Sequence, residues 1–167
     1  RASDAPSTLF AARAPRPFRD AGHSLGSAIG ELAVHGEQQR KQLVFSGDLG
    51  RYGNPVMFDP TPIAAADVLL VESTYGDRDA RIEDPENELV KVVNEALDRG
   101  GVLLIAAFAV GRTQTLLYYL KKLMAAGRVP QVPVYVDSPM GIRVSDLYPR
   151  HPTAHRLGTG NVVAFPR

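Results

Sequence analysis

Cysteine is absent from this chain of 167 residues, and its absence excludes several kinds of site. Without thiols the protein forms no disulfide, no thiolate zinc site and no iron–sulfur cluster, and it has no cysteine nucleophile. Any metal ion bound here must therefore use histidine, aspartate or glutamate. A chain of this length forms one domain or parts of two, and it can bury a core without such cross-links.

Long hydrophobic runs are also missing. The longest uncharged run, residues 100–111, has twelve residues, whereas a membrane-spanning helix needs about twenty. With no extended signal-peptide core either, we expect no membrane association and a cytoplasmic location. The net charge is only +1, but residues 1–77 have seven basic and nine acidic residues, and residues 78–167 have twelve and nine. An acidic half suits a metal ion and a basic half suits a polyanion.

The hydrophobic pattern predicts an α/β fold. Residues 1–17 have no sustained period, which is typical of a loop. The later elements follow from alternating, continuous or helical spacing of apolar residues. They are a hairpin over 28–34 and 42–45, an interior strand over 67–71, a helix from Pro85 to the glycines at 100 and 101, a buried strand over 102–107, a helix over 113–126 and a strand over 132–136. This order predicts a parallel sheet with right-handed crossovers in the second half.

Three polar side chains follow or precede predicted strands. His23 lies between glycines just before the hairpin, Asp48 follows the second hairpin strand, and Glu72 follows the strand over 67–71. Taken singly, such a histidine is more often structural, and such an aspartate serves equally well as a turn residue. Together they indicate a shared site at one edge of the sheet.

Five segments in this order resemble the metallo-β-lactamase-fold nucleases with an inserted β-CASP domain. That family includes the endonuclease subunit of the pre-mRNA cleavage and polyadenylation factor and its bacterial relatives. The resemblance covers roughly residues 18–150. The segments are Asp20-Ala-Gly-His-Ser-Leu-Gly-Ser, Phe45-Ser-Gly-Asp-Leu-Gly-Arg, Glu72-Ser-Thr-Tyr-Gly-Asp, Phe108-Ala-Val-Gly-Arg-Thr-Gln and Asp137-Ser-Pro-Met.

The resemblance implies a zinc-dependent ribonuclease with two zinc ions. Residues 1–77 would be the C-terminal part of a metallo-β-lactamase αββα sandwich, and residues 78–167 the first part of a parallel-sheet β-CASP domain. His23 matches a zinc ligand, and Asp48 matches the carboxylate that bridges the two zinc ions. Glu72 matches an acidic residue that orients a later histidine, which protonates the leaving group.

The resemblance also implies RNA as the partner, and it leaves homodimer formation open. Residues 111–114 join a predicted strand to a helix, where backbone N–H groups and the helix dipole favour a phosphate. Arg112, Thr113, Gln114 and the later Ser138 are the predicted RNA-binding residues. From the residues alone, the alternative is that Gly111 makes a turn, Thr113 caps the helix and Ser138 caps another turn.

The chain also departs from the family pattern. The metal motif His-x-His-x-Asp-His occurs nowhere in it, and neither do the family's later histidines. His151 and His155 have helical spacing, but Pro152 between them favours a surface loop over a metal-binding helix. We therefore expect this chain to be a portion of a longer enzyme and inactive alone. Two alternatives are a hydrolase of the same fold that acts on DNA or a small ester, and a noncatalytic nucleic-acid-binding homologue.

Overall fold

The computed structural model describes residues 18–35, 39–78 and 84–157. The loop predicted over residues 1–17 lies outside these ranges. Strands and helices together confirm the α/β class. The elements are β1 (Phe18–Asp20), β2 (Ala28–His35), β3 (Arg40–Phe45), β4 (Val68–Leu70), α1 (Pro85–Asp98), α2 (Arg112–Ala125), α3 (Pro139–Ser145) and a short 3-10 helix (Tyr148–Arg150).

The four strands form one mixed sheet in the order β1-β2-β3-β4. β2 pairs antiparallel with both β1 and β3, which confirms the predicted hairpin, and β3 pairs parallel with β4. The strand predicted over 67–71 is confirmed as β4, but its predicted interior position is wrong within the described chain, because β4 is an edge strand with exposed side chains. Its apolar residues pair on one side only, with Leu43 opposite Val68.

The two long helices begin and end close to the predicted residues. The Asp84 carboxylate accepts hydrogen bonds from the N–H groups of Glu86 and Asn87, and Pro85 occupies the first turn of α1. These features start a helix, because they satisfy free N–H groups and preset the backbone. The two helices pack through a buried apolar cluster formed by Val93, Leu120, Leu123 and Val129.

The strands predicted over 102–107 and 132–136 are wrong in the described structure. Neither segment is paired with a neighbouring strand. Val102 and Leu104 are 96% and 92% exposed, and Tyr135 is 87% exposed. A strand exists only where a neighbour accepts and donates its backbone hydrogen bonds, and the described residues supply no such neighbour here. The parallel sheet expected for the second half is therefore not formed by them.

A second apolar cluster joins the loop after β3 to the end of the described chain. It contains Val56, Met57, Tyr148 and Leu157. His155 lies beside it, only 2% exposed, so the predicted surface loop is wrong for this residue. Its ring nitrogens bond to the backbone of two neighbours, which explains how a histidine can be buried here. His151 is exposed, as predicted.

Candidate active site

The segment after β1 presents the His23 side chain to solvent. The backbone N–H groups of His23 and Ser24 both donate to Oγ of Ser27, each at 3.1 Å. This polar turn holds the backbone in place. Within the described part of the chain the imidazole itself makes no hydrogen bond, so its ring nitrogens are open to a ligand.

Asp48 follows β3, and one backbone bridge places its segment beside the segment of His23. Gly22 pairs with Leu49 in an isolated antiparallel bridge. His23 directly follows Gly22, and Asp48 directly precedes Leu49. Both side chains are exposed. The structure therefore brings the backbone segments of two predicted site residues together.

A close backbone contact makes this pairing depend on glycine at position 50. The Gly50 N–H donates to the carbonyl oxygen of Ala21 at 2.7 Å. A Cβ added to Gly50 would lie 1.9 Å from the carbonyl oxygen of Gly22, which is a severe clash. Only a residue without a side chain lets the two segments approach this closely.

Glu72 is bound to the Asp48 segment through its backbone and its side chain. Its N–H donates to Oγ of Ser46 at 3.0 Å, and its carboxylate accepts a hydrogen bond from the N–H of Leu49. The Leu49 hydrogen bond is the main cause that lowers the pKa of the Glu72 carboxyl, followed by a hydrogen bond from the Thr74 side chain, with a smaller effect of His23. Glu72 therefore stays ionised, holds the segment next to Asp48 and lies within electrostatic range of His23.

The turn at Gly111 packs against the His23 segment. A Cβ added to Gly111, whose φ is +77°, would lie 3.6 Å from the carbonyl oxygen of His23 and 3.9 Å from the Cβ of Ser24. The first turn of α2 follows directly, and Arg112 at its start is exposed. A predicted RNA-binding residue thus follows directly on a turn that lies beside the predicted active-site residues.

Thr113 and Gln114 are buried, and their polar atoms bond internally. Thr113 Oγ1 donates to the carbonyl oxygen of Phe108 at 2.8 Å. The Gln114 side chain accepts from the Gly111 N–H at 2.7 Å and donates to Ser145 Oγ at 3.0 Å. Its amide also donates to the carbonyl oxygens of Ala109 and Gly141. These bonds give both side chains a positioning role, and the direct RNA contact expected for them stays a prediction.

Ser138 is the N-cap of α3. Its Oγ accepts a hydrogen bond from the Gly141 N–H at 3.0 Å, and Pro139 follows in the first turn. The cap alternative of the sequence analysis therefore describes its present contact, and its contact with RNA stays a prediction. Because Gln114 bonds to the carbonyl oxygen of Gly141, the starts of α2 and α3 are linked.

Comparison with known proteins bears on these segments directly. A family model described as Beta-Casp domain matches residues 113–166. A ribonuclease from Thermus thermophilus is 42% identical over 134 residues, which is 80% of this chain and 30% of the relative. An RNase J-like protein from Methanocaldococcus jannaschii is 34% identical over 125 residues, 72% of this chain and 28% of the relative. This chain belongs to the β-CASP family.

Another β-CASP relative carries a different name. The transcription termination factor FttA from Methanosarcina mazei is 38% identical over 125 residues, 72% of this chain and 19% of the relative. The chain spans between 19% and 30% of the length of these three curated relatives. The boundary expected near residue 77, between a metallo-β-lactamase part and a β-CASP part, stays a prediction.

The donor set bears on the metal that the family implies. Imidazole nitrogen and carboxylate oxygen are zinc ligands, but a zinc site needs three or four protein ligands. Residues 18–35, 39–78 and 84–157 contain no group of three or more histidine, aspartate or glutamate side chains that could hold a metal ion. His23 and Asp48 alone therefore do not make a complete zinc site.

Within residues 18–35, 39–78 and 84–157, no helix is long and apolar enough to cross a membrane.

Sequence reasoning missed the residues that hold the site in place. Ser27 and Ser46 accept hydrogen bonds from backbone N–H groups on either side of it, and Thr74 helps to lower the pKa of the Glu72 carboxyl. All three lie within the motif segments, but nothing in their spacing distinguishes a structural hydroxyl from an exposed one. The buried role of Gln114 was equally hidden, because its partners in α3 lie 27 and 31 residues away.

Proposed function

We propose that the full-length protein hydrolyses phosphodiester bonds in RNA and that His23, Asp48 and Glu72 belong to its active site. The observation that carries this proposal is the antiparallel bridge between Gly22 and Leu49, which places the segments of His23 and Asp48 side by side. His23 and Asp48 are exposed, and the Glu72 carboxylate accepts from the Leu49 N–H, next to Asp48. Relatives named as ribonucleases support the substrate.

Zinc is the metal that we propose for the full-length protein. His23 would donate an imidazole nitrogen and Asp48 a carboxylate oxygen, which are ligands that zinc accepts. The other ligands would be residues outside the described part of the chain. Two zinc ions held there would supply an activated water and would neutralise phosphate charge. Glu72 would act on this site indirectly, by fixing the segment that carries Asp48 through the Leu49 N–H.

RNA would reach the site along the start of α2. Arg112 is exposed there, next to the turn that packs on His23, and a guanidinium binds phosphate oxygens in a bidentate manner. Thr113 and Gln114 would keep this turn in place through their internal hydrogen bonds. Ser138, linked to Gln114 through Gly141, would border the same path.

One observation favours a noncatalytic nucleic-acid-binding protein as the second candidate. The described residues offer too few donors for a metal ion. Such a protein would bind RNA and leave it intact, so a cleavage assay separates the two candidates.

The test is cleavage of matched single strands of RNA and DNA by the full-length protein. We expect the protein to cleave the RNA strand and to leave the DNA strand intact. The two strands differ in the 2′-hydroxyl, so this result would show that the protein recognises that group. Cleavage should stop when a chelator is added and return with zinc. Equal cleavage of DNA would contradict the ribonuclease proposal, and binding of RNA without cleavage would favour the noncatalytic candidate.

A further inference from the structure

Tyr75 has a backbone conformation that is unusual for a large side chain. Its φ is +56°, and within the described ranges it is the one residue other than glycine with a positive φ. In this region the Cβ approaches the backbone too closely, so that glycine, asparagine and aspartate are the usual occupants. Strained conformations of this kind persist where the surroundings hold them, and they cluster at functional sites.

The strain lies in a tight turn just after Glu72. The Gly76 N–H donates to the carbonyl oxygen of Ser73 at 2.9 Å, which makes Tyr75 the third residue of a four-residue turn. A turn with positive φ at its third position normally has glycine or asparagine there. The turn itself therefore gives no reason for a tyrosine at this position.

The Tyr75 ring is open to solvent and lies beside a positive charge. The side chain is 71% exposed, and the guanidinium carbon of Arg78 lies 5.4 Å from the ring centroid. A cation at this distance covers one face of an aromatic ring, which leaves the opposite face uncovered. Arg78 also approaches Asp77 at 3.7 Å, but such an exposed ion pair is weak and leaves the guanidinium available for another anion.

The turn is attached to the candidate active site. Tyr75 is three residues after Glu72, and Thr74 between them helps to lower the pKa of the Glu72 carboxyl. The Glu72 carboxylate accepts from the Leu49 N–H, next to Asp48, and the Glu72 N–H donates to Ser46 Oγ at 3.0 Å. An exposed aromatic ring with an adjacent arginine thus lies three residues from a residue that is bonded to the candidate active site.

We propose that Tyr75 and Arg78 form a nucleotide-binding subsite at the border of the candidate active site. An unpaired base of single-stranded RNA stacks on the uncovered face of the Tyr75 ring, and Arg78 binds a neighbouring phosphate. Proteins that bind single strands combine aromatic platforms and basic side chains in this way. The inference rests on the proposed function, since it assigns a contact of the same RNA substrate.

The test compares Tyr75→Asn with Tyr75→Phe in the full-length protein, both in an Asp48→Asn background, so that the RNA is not consumed. Asparagine tolerates the positive φ but lacks the ring, whereas phenylalanine keeps the ring. We expect Tyr75→Asn to weaken binding of a single-stranded RNA by about 5- to 100-fold, as loss of one stacked base does. Tyr75→Phe should bind within about two-fold of the parent, on the same principle.

Two further readouts separate stacking from a structural role. RNA with 2-aminopurine at successive positions should show fluorescence quenching at one position, lost in Tyr75→Asn and kept in Tyr75→Phe. The unfolding midpoint of Tyr75→Asn should equal or exceed that of the parent, because asparagine relieves strain, and Tyr75→Gly serves as a second variant with the same expectation. Arg78→Gln should remove one phosphate contact. The slope of the logarithm of the RNA affinity against the logarithm of the salt concentration should therefore become smaller by about one.

Equal RNA affinity of Tyr75→Asn and the parent would overturn the subsite and leave the proposed function intact. A loss of affinity as large in Tyr75→Phe as in Tyr75→Asn would overturn the stacking role, since it would implicate the hydroxyl. Absence of any RNA binding or cleavage by the unmutated protein would overturn the proposed function and the subsite together.

Discussion

Gln114 shows how one buried side chain organises the surface beside the candidate active site. Its carbonyl oxygen accepts from the Gly111 N–H, and its amide donates to Ala109, Gly141 and Ser145. Both ends of the amide are therefore used, and the residue is 5% exposed. Leaving buried partners of this kind unsatisfied costs about 1–3 kcal/mol for each group.

Gln114→Glu tests this role with almost no change of shape. The new carboxylate still accepts from Gly111, but it cannot donate to the carbonyl oxygens of Ala109 and Gly141. We expect the free energy of unfolding, measured with urea, to fall by roughly 1–3 kcal/mol. Gln131→Glu is the matched control, because Gln131 is exposed and a surface change costs at most about 0.5 kcal/mol. Equal losses in both variants would contradict the positioning role of Gln114.

Residues differ in how far sequence predicts their role. His23, Asp48 and Glu72 could be predicted to lie at the ends of strands, because each comes just before or just after an apolar segment that forms one; that they form one site stays a prediction. Gln114 could not be predicted to be buried, since its burial depends on how α3 packs against α2. The motif segments thus predicted which residues border the site, but not which of them point into the protein.

Helices and strands also differ in how well their sequences predict them. α1 and α2 formed near their predicted bounds because caps and 3.6-residue spacing act within a few residues. The segments 102–107 and 132–136 have apolar residues typical of buried strands, yet they lack pairing partners within the described chain. Strand formation depends on distant residues, which a local pattern does not specify.

At the start of α3, two Ser138 variants separate the cap from an RNA contact. Ser138→Ala removes the acceptor of the Gly141 N–H and should lower the free energy of unfolding by about 0.5–2 kcal/mol. Ser138→Asp keeps an acceptor for the cap, but it adds a negative charge that repels phosphate. We expect it to preserve the unfolding free energy, measured with urea, and to weaken RNA binding, measured by filter binding at two salt concentrations. Unchanged RNA affinity in Ser138→Asp would argue against the predicted contact.

For the whole molecule, His155 connects the end of the described chain to the loop after β3. Its Nδ1 accepts from the Leu157 N–H at 3.1 Å, so that Nε2 donates to the carbonyl oxygen of Tyr148 at 2.9 Å. Next to it, the Arg156 N–H donates to the carbonyl oxygen of Val56 at 2.7 Å. The sequence could not predict this burial, because Tyr148, whose carbonyl oxygen accepts from the ring, packs in one cluster with Met57, which lies 91 residues away along the chain.

His155→Leu should loosen this connection. Leucine fills much of the space but leaves the Leu157 N–H and the Tyr148 carbonyl without partners, at about 1–3 kcal/mol each. We expect faster amide hydrogen exchange at Arg156 and Leu157, with exchange in β2 and β3 unchanged. His151→Leu is the control, since His151 is exposed. Unchanged exchange at Arg156 and Leu157 in His155→Leu would contradict the connecting role.

Cleavage of single-stranded RNA by Asp48→Asn in the full-length protein tests the central claim most directly. Asparagine keeps the shape of the side chain and removes its charge. We expect the rate of RNA cleavage to fall by about 100-fold or more, as when a group at the reacting centre is lost. The circular dichroism spectrum and the unfolding midpoint of the variant should match those of the unmutated protein. Asp98→Asn, at the exposed end of α1, should retain the full rate. An Asp48→Asn variant that cleaves RNA as fast as the unmutated protein would contradict the assignment of this site.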